Sequence, residues 1–236
     1  HITRVPMTWF DRISLFSTLD FATVGVLFAA WFFIGFAIEN SSPARPSTSQ
    51  VMALYRREWM ANMAERDNRI FDAQIMNGLR QGTAFFASAT MITIGGIFAM
   101  IGNADRFVGL ANDLTLSTDP QVVWEIKLFV VLFFVTNAFL KFVWSHRLFG
   151  YCAIVMAAVP IDPSDPNAHK RASQAGDINI TAARSYNRGL RSVYFAICLL
   201  SWLVGSLALL GATVITVAVL WRREFLSQSR ATLLQS

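Results

Sequence analysis

The sequence predicts an all-α integral membrane protein: four transmembrane helices with helical extensions on the cytoplasmic side. Three observations lead there. Of 236 residues, 54% are apolar and only 15% charged, with a mean hydropathy of +0.45, whereas soluble domains run at about 45–50% apolar and about 25% charged. Four apolar runs are long enough to cross a hydrocarbon core of about 30 Å, which takes about 20 helical residues. None of the runs alternates with the period of two that a barrel strand needs, so helices, which satisfy their own backbone, are the spanning form. The same composition sets aside a soluble enzyme, a disordered segment and a nucleic-acid-binding module. The net charge of +5 is scattered between apolar blocks rather than gathered on one basic face.

The first span is expected over about 15–38, with Asp20 its single charge. It is too long for the apolar core of a cleaved signal and reads as a retained helix. Ser17 and Asp20 have the spacing of a capping box, in which the serine oxygen and the carboxylate satisfy N-terminal amides. The alternative for Asp20 is an ion pair with Lys127 inside the bundle. The linker Ser41–Pro46 holds two prolines and marks a turn. Beyond it, apolar residues recur at helical spacing from Val51 to Ala73 with charges between them. A cytoplasmic helix over about 49–79 is expected to run on into the second span, about 83–101, as one long rod from Ser49 to Ile101. Residues 104–114 are expected to form a short outer helix, with Asp119 and Pro120 opening the third span.

The third span, about 122–144, contains Glu125, Lys127 and Lys141. It is expected to overhang the membrane through 146–159, where Pro160 ends the run. The stretch 160–177 holds three prolines and reads as a flexible loop. A further extension over 180–192 leads into the fourth span, 193–221, which carries no charge. The three extensions are expected to pack together as a cytoplasmic layer. The whole chain is one membrane domain.

Lysine and arginine counts set orientation. With four spans, thirteen basic residues fall on the side of the 49–79 helix and seven on the other. The richer side goes to the cytoplasm, so both termini are expected outside, in a bacterial inner membrane.

Polar residues inside a membrane are costly and mark function by default. Asn187, Arg191 and Tyr194 share one face of the last helix, Asn137 and Lys141 are neighbours on the third, and Gln74, Asn77 and Gln81 lie on the second. All belong to the cytoplasmic third and together form a candidate polar vestibule. Its sign favours a small anion or a lipid headgroup. The competing reading is that the cations snorkel to headgroups and that the amides bind helix to helix. Pairs such as Gly78/Gly82 and Ser201/Gly205 permit close helix approach, within the chain or in a homo-oligomer. Cys152 and Cys198 lie in apolar runs, and His1, His146 and His169 have no metal-ligand spacing. No cofactor and no catalytic constellation is expected.

The stretch Arg56-Arg57-Glu58-Trp59-Met60, with Met63, Asn68-Arg69-Ile70, Ala73-Gln74, Asn77 and Phe85–Thr90, resembles the signature of a bacterial and plant membrane family catalogued as domain of unknown function 599. Glu125-Ile126-Lys127, Lys141-Phe142, Arg147-Leu148-Phe149 and Tyr186–Arg191 with Tyr194 resemble its second half. The likeness covers roughly 8–226. It implies a multi-span helical membrane protein and carries no reaction, ligand or catalytic residue. The expected function is an oligomeric channel or transporter for a small ion or anionic solute, embedded in the lipid bilayer. The alternative is a non-catalytic scaffold or accessory subunit of a membrane complex.

Overall fold

The computed structural model describes residues 9–103 and 120–235, and these form helices and no strands. In chain order they are α1 (Trp9–Ile13), α2 (Thr18–Glu39), α3 (Thr48–Ala64), α4 (Ile70–Gly102), α5 (Gln121–Ala157), α6 (Pro166–Leu200) with a 3-10 turn at Ser201–Leu203, α7 (Ser206–Phe225) and α8 (Gln228–Leu233). Four helical stretches are long and apolar enough to cross a membrane: Thr18–Glu39, Ile70–Gly102, Gln121–Ala157 and Ser206–Leu233.

The frame is an antiparallel hairpin of α5 and α6. Ser145 Oγ donates to the Ala182 carbonyl at 2.8 Å, Ser185 Oγ to the Lys141 carbonyl at 2.9 Å and Ser192 Oγ to Asn137 Oδ1 at 3.0 Å. Three serines thus bond across one seam, the usual way of joining helices in lipid. Gly189 sits in that seam because a Cβ there would lie 2.7 Å from the Phe142 ring. α4 packs outside α5, α3 lies on α6, and α2 pairs with α7. Two cores result. One holds Leu27, Phe134, Phe195, Leu199, Trp202 and Leu209. The other holds Met60, Met63, Phe149 and Cys152 against Ala168, Ala172, Ala175 and Ala182, whose small side chains let α3 and α5 approach α6.

The capping box forms as expected: the Asp20 amide donates to Ser17 Oγ at 3.2 Å and the Ser17 amide to the Asp20 carboxylate at 3.0 Å. The helical extensions at 49–64, 146–157 and 180–192 also form and pack together, within α3, α5 and α6.

Four expectations are corrected. The single rod from Ser49 to Ile101 is broken at residues 65–69. There Asn68 Oδ1 accepts the Ile70 amide at 3.0 Å, and Arg69 reaches the Val159 and Pro160 carbonyls at 2.6 and 2.7 Å. α3 folds back onto α6 there instead of extending α4. The loop expected over 160–177 is shorter, because Asp165 caps α6 through the Asn167 amide at 2.7 Å and Pro166 takes the first turn. The charge-free run 193–221 is not one span. The chain turns at Ser201–Gly205, where Gly205 has φ +154°, and the spanning helix begins at Ser206. That turn moves the C-terminus. Asp20 at the start of α2 bonds Trp202 and Ser206, whereas Thr48, past the end of α2, bonds the Glu224 carbonyl at 3.1 Å. α2 and α7 are therefore parallel, so the described chain ends lie at opposite ends of the bundle instead of on one side. The outer helix expected over 104–114, like Asp119, lies outside the described residues, and α5 begins directly after Pro120.

Candidate functional site

The polar centre forms where α2 ends. The Glu39 carboxylate is gripped by two arginines of α6: Arg188 Nε donates at 2.8 Å, and the Arg188 and Arg191 Nη2 groups donate to its two oxygens. Arg188 and Arg191 are three apart on α6 and so share its α2-facing side. Arg191 is only 7% exposed. Its guanidinium passes close to Gly35, where a Cβ would lie in van der Waals contact, 3.6 Å from Arg191 Nε. A buried charge of this kind is kept by pairing, because removing either partner leaves the other desolvated and uncompensated.

Two clefts share this ion pair as a common wall. The first, about 300 Å³, lies between α2, α3, α6 and the end of α7, and is lined by Arg56, Arg184, Asn187 and Arg191 together with Glu39 and Glu224. The second, about 370 Å³, is lined by Gly35 and Phe36 of α2 and by Asn137, Lys141, Arg188 and Arg191. Both carboxylates are already engaged. Glu39 holds the two arginines, and Glu224 accepts the Ser49 amide at 3.0 Å and Ser49 Oγ at 3.0 and 3.1 Å. That amide is at the positive end of α3, which favours the carboxylate there. Arg56 donates to Asn179 Oδ1, and burial pulls its guanidinium below the usual arginine value. What remains to meet a ligand is cationic.

The two clefts are lined by four of the eight vestibule residues. Arg191 lines both clefts, Asn187 the first, and Asn137 and Lys141 the second. Tyr194 stands one turn beyond Arg191 on α6, where its hydroxyl accepts from Arg223 Nη1 and its ring lies 5.6 Å from the guanidinium. The other three are elsewhere. Gln74 and Gln81 are exposed on the outer face of α4. Asn77 borders a separate apolar groove with Met63, Met76 and Met156. α4 contributes nothing to the vestibule because its inward face is Asp72, Met76, Thr83, Thr90 and Ile97.

At the opposite end of the bundle, Asp20 and Lys127 meet through a third residue. Trp202 Nε1 donates to Asp20 Oδ1 at 2.7 Å, and Lys127 Nζ lies 5.7 Å from the Trp202 ring and 5.6 Å from Trp124. Lys127 is only 5% exposed, and such cation–π contacts strengthen when desolvated.

Glu39, Glu224, Ser49, Arg56 and Arg184 were not picked out by spacing. Glu39 carried a signal, as a carboxylate closing an apolar run. The others lie on helices whose faces could be assigned only once their partners were known. A second polar cluster was also missed. The fully buried Asp72 accepts Trp59 Nε1 and Arg66 Nη1 through Oδ1, each at 2.7 Å, which ties α4 to α3.

No curated protein and no solved structure gives a significant match to the chain. A family model does, over residues 22–229, from the first turns of α2 into α8. The matched stretch takes in both clefts, the α5–α6 seam and the α3–α4 break, and the chain belongs to the family described as Protein of unknown function, DUF599.

Proposed function

We propose that the protein is a transport-class membrane protein that binds a small anion, a phosphate or carboxylate, in the cleft between α2, α3, α6 and α7. The observation that carries this reading is the wall shared by the two clefts. Arg191 and Glu39 belong to the linings of both, so an anion that takes the guanidinium from Glu39 joins the first cleft to the second. Arg56, Arg184 and Lys141 draw such an anion in, and Asn187 and Asn137 supply amides in place of water. Bidentate guanidinium contacts suit planar carboxylates and phosphates alike. The other half of the bundle is filled by Phe134, Phe195, Leu199 and Leu209. Passage within one protomer therefore requires those helices to move, which favours a carrier over an open pore. We assign no catalytic role to these residues.

The basic end is the cytoplasmic end in this reading. The turn at Gly205 carries Arg222, Arg223 and Arg230 to the end that already holds Arg45, Arg56 and Arg57, and the positive-inside rule places that end in the cytoplasm. The N-terminus is then outside and the C-terminus inside, in a bacterial inner membrane.

The test is binding of inorganic phosphate and of succinate to the purified full chain in nanodiscs, read as a rise in melting temperature with ligand concentration, with flux of the same probes into liposomes. Arg184→Gln is expected to weaken binding tenfold or more, and Glu39→Gln, which frees two arginines, to strengthen it. Binding that is absent for both probes, or unchanged in Arg184→Gln, overturns the anion reading.

The scaffold alternative is favoured by a different observation. Several vestibule groups are engaged with one another: Asn137 with Ser192, Asn187 with Ser49 at 3.4 Å, and Tyr194 with Arg223. If these amides only bind helix to helix, Asn137→Leu lowers stability and leaves phosphate and succinate binding as it was.

A further inference from the structure

A third cleft, about 450 Å³ and larger than either vestibule cleft, lies between the break at 65–69, the first turns of α4 and the end of α5. Its buried lining is wholly apolar: Met63, Met76, Met156 and Val159. Methionine moulds itself to what it packs on and recurs at surfaces that accept varied apolar ligands. Ala73 of α4 and Ala153 and Ala157 of α5 also line the cleft, and their short side chains leave the space between the helices open. The polar residues sit on its exposed lining, at Asp67, Asn77 and Arg80. An apolar back with a few polar groups at the mouth is the usual build of a small-molecule site of about 300–1,000 Å³. The Arg80 side chain has no hydrogen-bond or ion-pair partner among the described residues, only its carbonyl being engaged, by Thr83 Oγ1 at 2.8 Å. Asn77, three residues earlier and so on the same face, has none among them either. The neighbouring cations are occupied. Arg69 holds the Val159 and Pro160 carbonyls, and Arg147, which shares another cleft with Arg80, donates to the Tyr151 hydroxyl at 2.8 Å.

We propose that this groove binds a long-chain fatty acid, with its carboxylate on Arg80 and Asn77 and its chain against the three methionines. Charge selects the head. The lining holds two arginines and one carboxylate, Asp67, which leaves one positive charge for one carboxylate to neutralise. A doubly charged head has no second cation to meet, because Arg69 and Arg147 are engaged. Volume selects the tail. One turn of helix, about 5.4 Å long and 10–12 Å across, fills roughly 500 Å³, so the groove takes a chain and not a partner helix. Position separates such a ligand from the lipid around the spans. α4 carries no charge from Gln81 to Gly102, a run that crosses a bilayer by itself, since about 20 residues are enough. Arg80 therefore stands at headgroup level, and the methionines lie beyond it, outside the hydrocarbon. A chain held there has left the bilayer.

The probe is a palmitate analogue with a diazirine in its chain, photolysed with the full chain in phosphatidylcholine nanodiscs and located by peptide mass spectrometry. Adducts are expected within 63–77 and 153–161. Unlabelled palmitate is expected to lower them tenfold or more. Hexadecanol, which lacks the charge, and butyrate, which lacks the chain, are expected to leave them within twofold at the same concentration. Arg80→Gln is expected to lower labelling tenfold or more, and Arg80→Lys, which restores the charge, to keep it within threefold. Ala157→Phe places a ring in the groove from an exposed position and is expected to lower labelling tenfold with circular dichroism and melting unchanged. Adducts spread evenly over the outward faces of α2, α4 and α5, hexadecanol competing as well as palmitate, or labelling unchanged in Arg80→Gln overturns the proposal. Phosphate and succinate enter none of these readouts, so this inference and the vestibule reading fail separately.

Discussion

Gly189 shows how one side chain controls the frame. Phe142 is fully buried and held by the rings of Phe86 and Tyr186 at centroid distances of 5.3 and 5.5 Å. A methyl group at 189 would arrive 2.7 Å from that ring, and the ring has nowhere to go. Overpacking a tight seam costs about 1–3 kcal/mol. Gly189→Ala is therefore expected to melt several degrees below the parent in detergent, followed by circular dichroism; a variant as stable as the parent would show that the seam gives way. Gly205 differs in kind. It has no neighbour that a Cβ would strike, but its φ of +154° with ψ of 168° is a region for glycine almost alone. Sequence reading paired Gly205 with Ser201 as small residues for close packing. Gly189 is the packing glycine, and Gly205 is a hinge of the backbone. Only φ separates the two roles, and φ is not written in composition.

Among the elements, the break between α3 and α4 is held by two guanidiniums, Arg66 on Asp72 and Arg69 on the end of α5. Arg69 donates to the Val159 and Pro160 carbonyls at 2.6 and 2.7 Å, and Arg171 donates to Ala158 at 2.6 Å. These are carbonyls just past the end of α5, which helices leave without intrahelical partners. A hydrogen bond to a charged group contributes about 1.5–3 kcal/mol. Arg69→Ala is expected to raise amide hydrogen exchange in residues 60–70 and 156–166 while the α5–α6 seam keeps its protection. Exchange that rises evenly along the chain would mean that Arg69 supports the whole bundle. The helical nature of α3 was legible from periodicity and from the absence of glycine and proline, and that of the α5 overhang from an apolar run ended by Pro160. The break was not. Residues 65–69 contain no strong breaker, and the chain turns there because Asp72, Arg66 and Arg69 have partners on other helices, which a local reading cannot see.

For the molecule as a whole, the decisive feature is the parity of the helices. α6 runs from the basic end, where Arg191 holds Glu39, to the far end, where Trp202 meets Asp20, and α7 returns. The tail arginines thereby join the other cations. A membrane-impermeant maleimide applied to intact cells is expected to label Ser14→Cys at once and Thr232→Cys only after permeabilisation. Equal labelling of both would return the termini to one side. The sequence pointed to the α5 and α6 residues Asn137, Lys141, Asn187 and Arg191 that line the two clefts, because polar residues spaced by three and four mark one helix face whatever that face touches. It misplaced the α4 contribution for the same reason: a polar stripe says that a face is special, not which way it points.

Composition and run length alone determined that this chain crosses a membrane as helices. Hydrocarbon demands about 20 apolar residues and a self-satisfied backbone, and few sequences meet both demands by accident. Which helix continues, which one turns, and which polar stripe looks inward were decided by tertiary structure. Those outcomes depend on pairs remote in the chain, Glu39 with Arg191, Asp20 with Trp202 and Arg69 with Pro160, whose energies exist only once the helices have met.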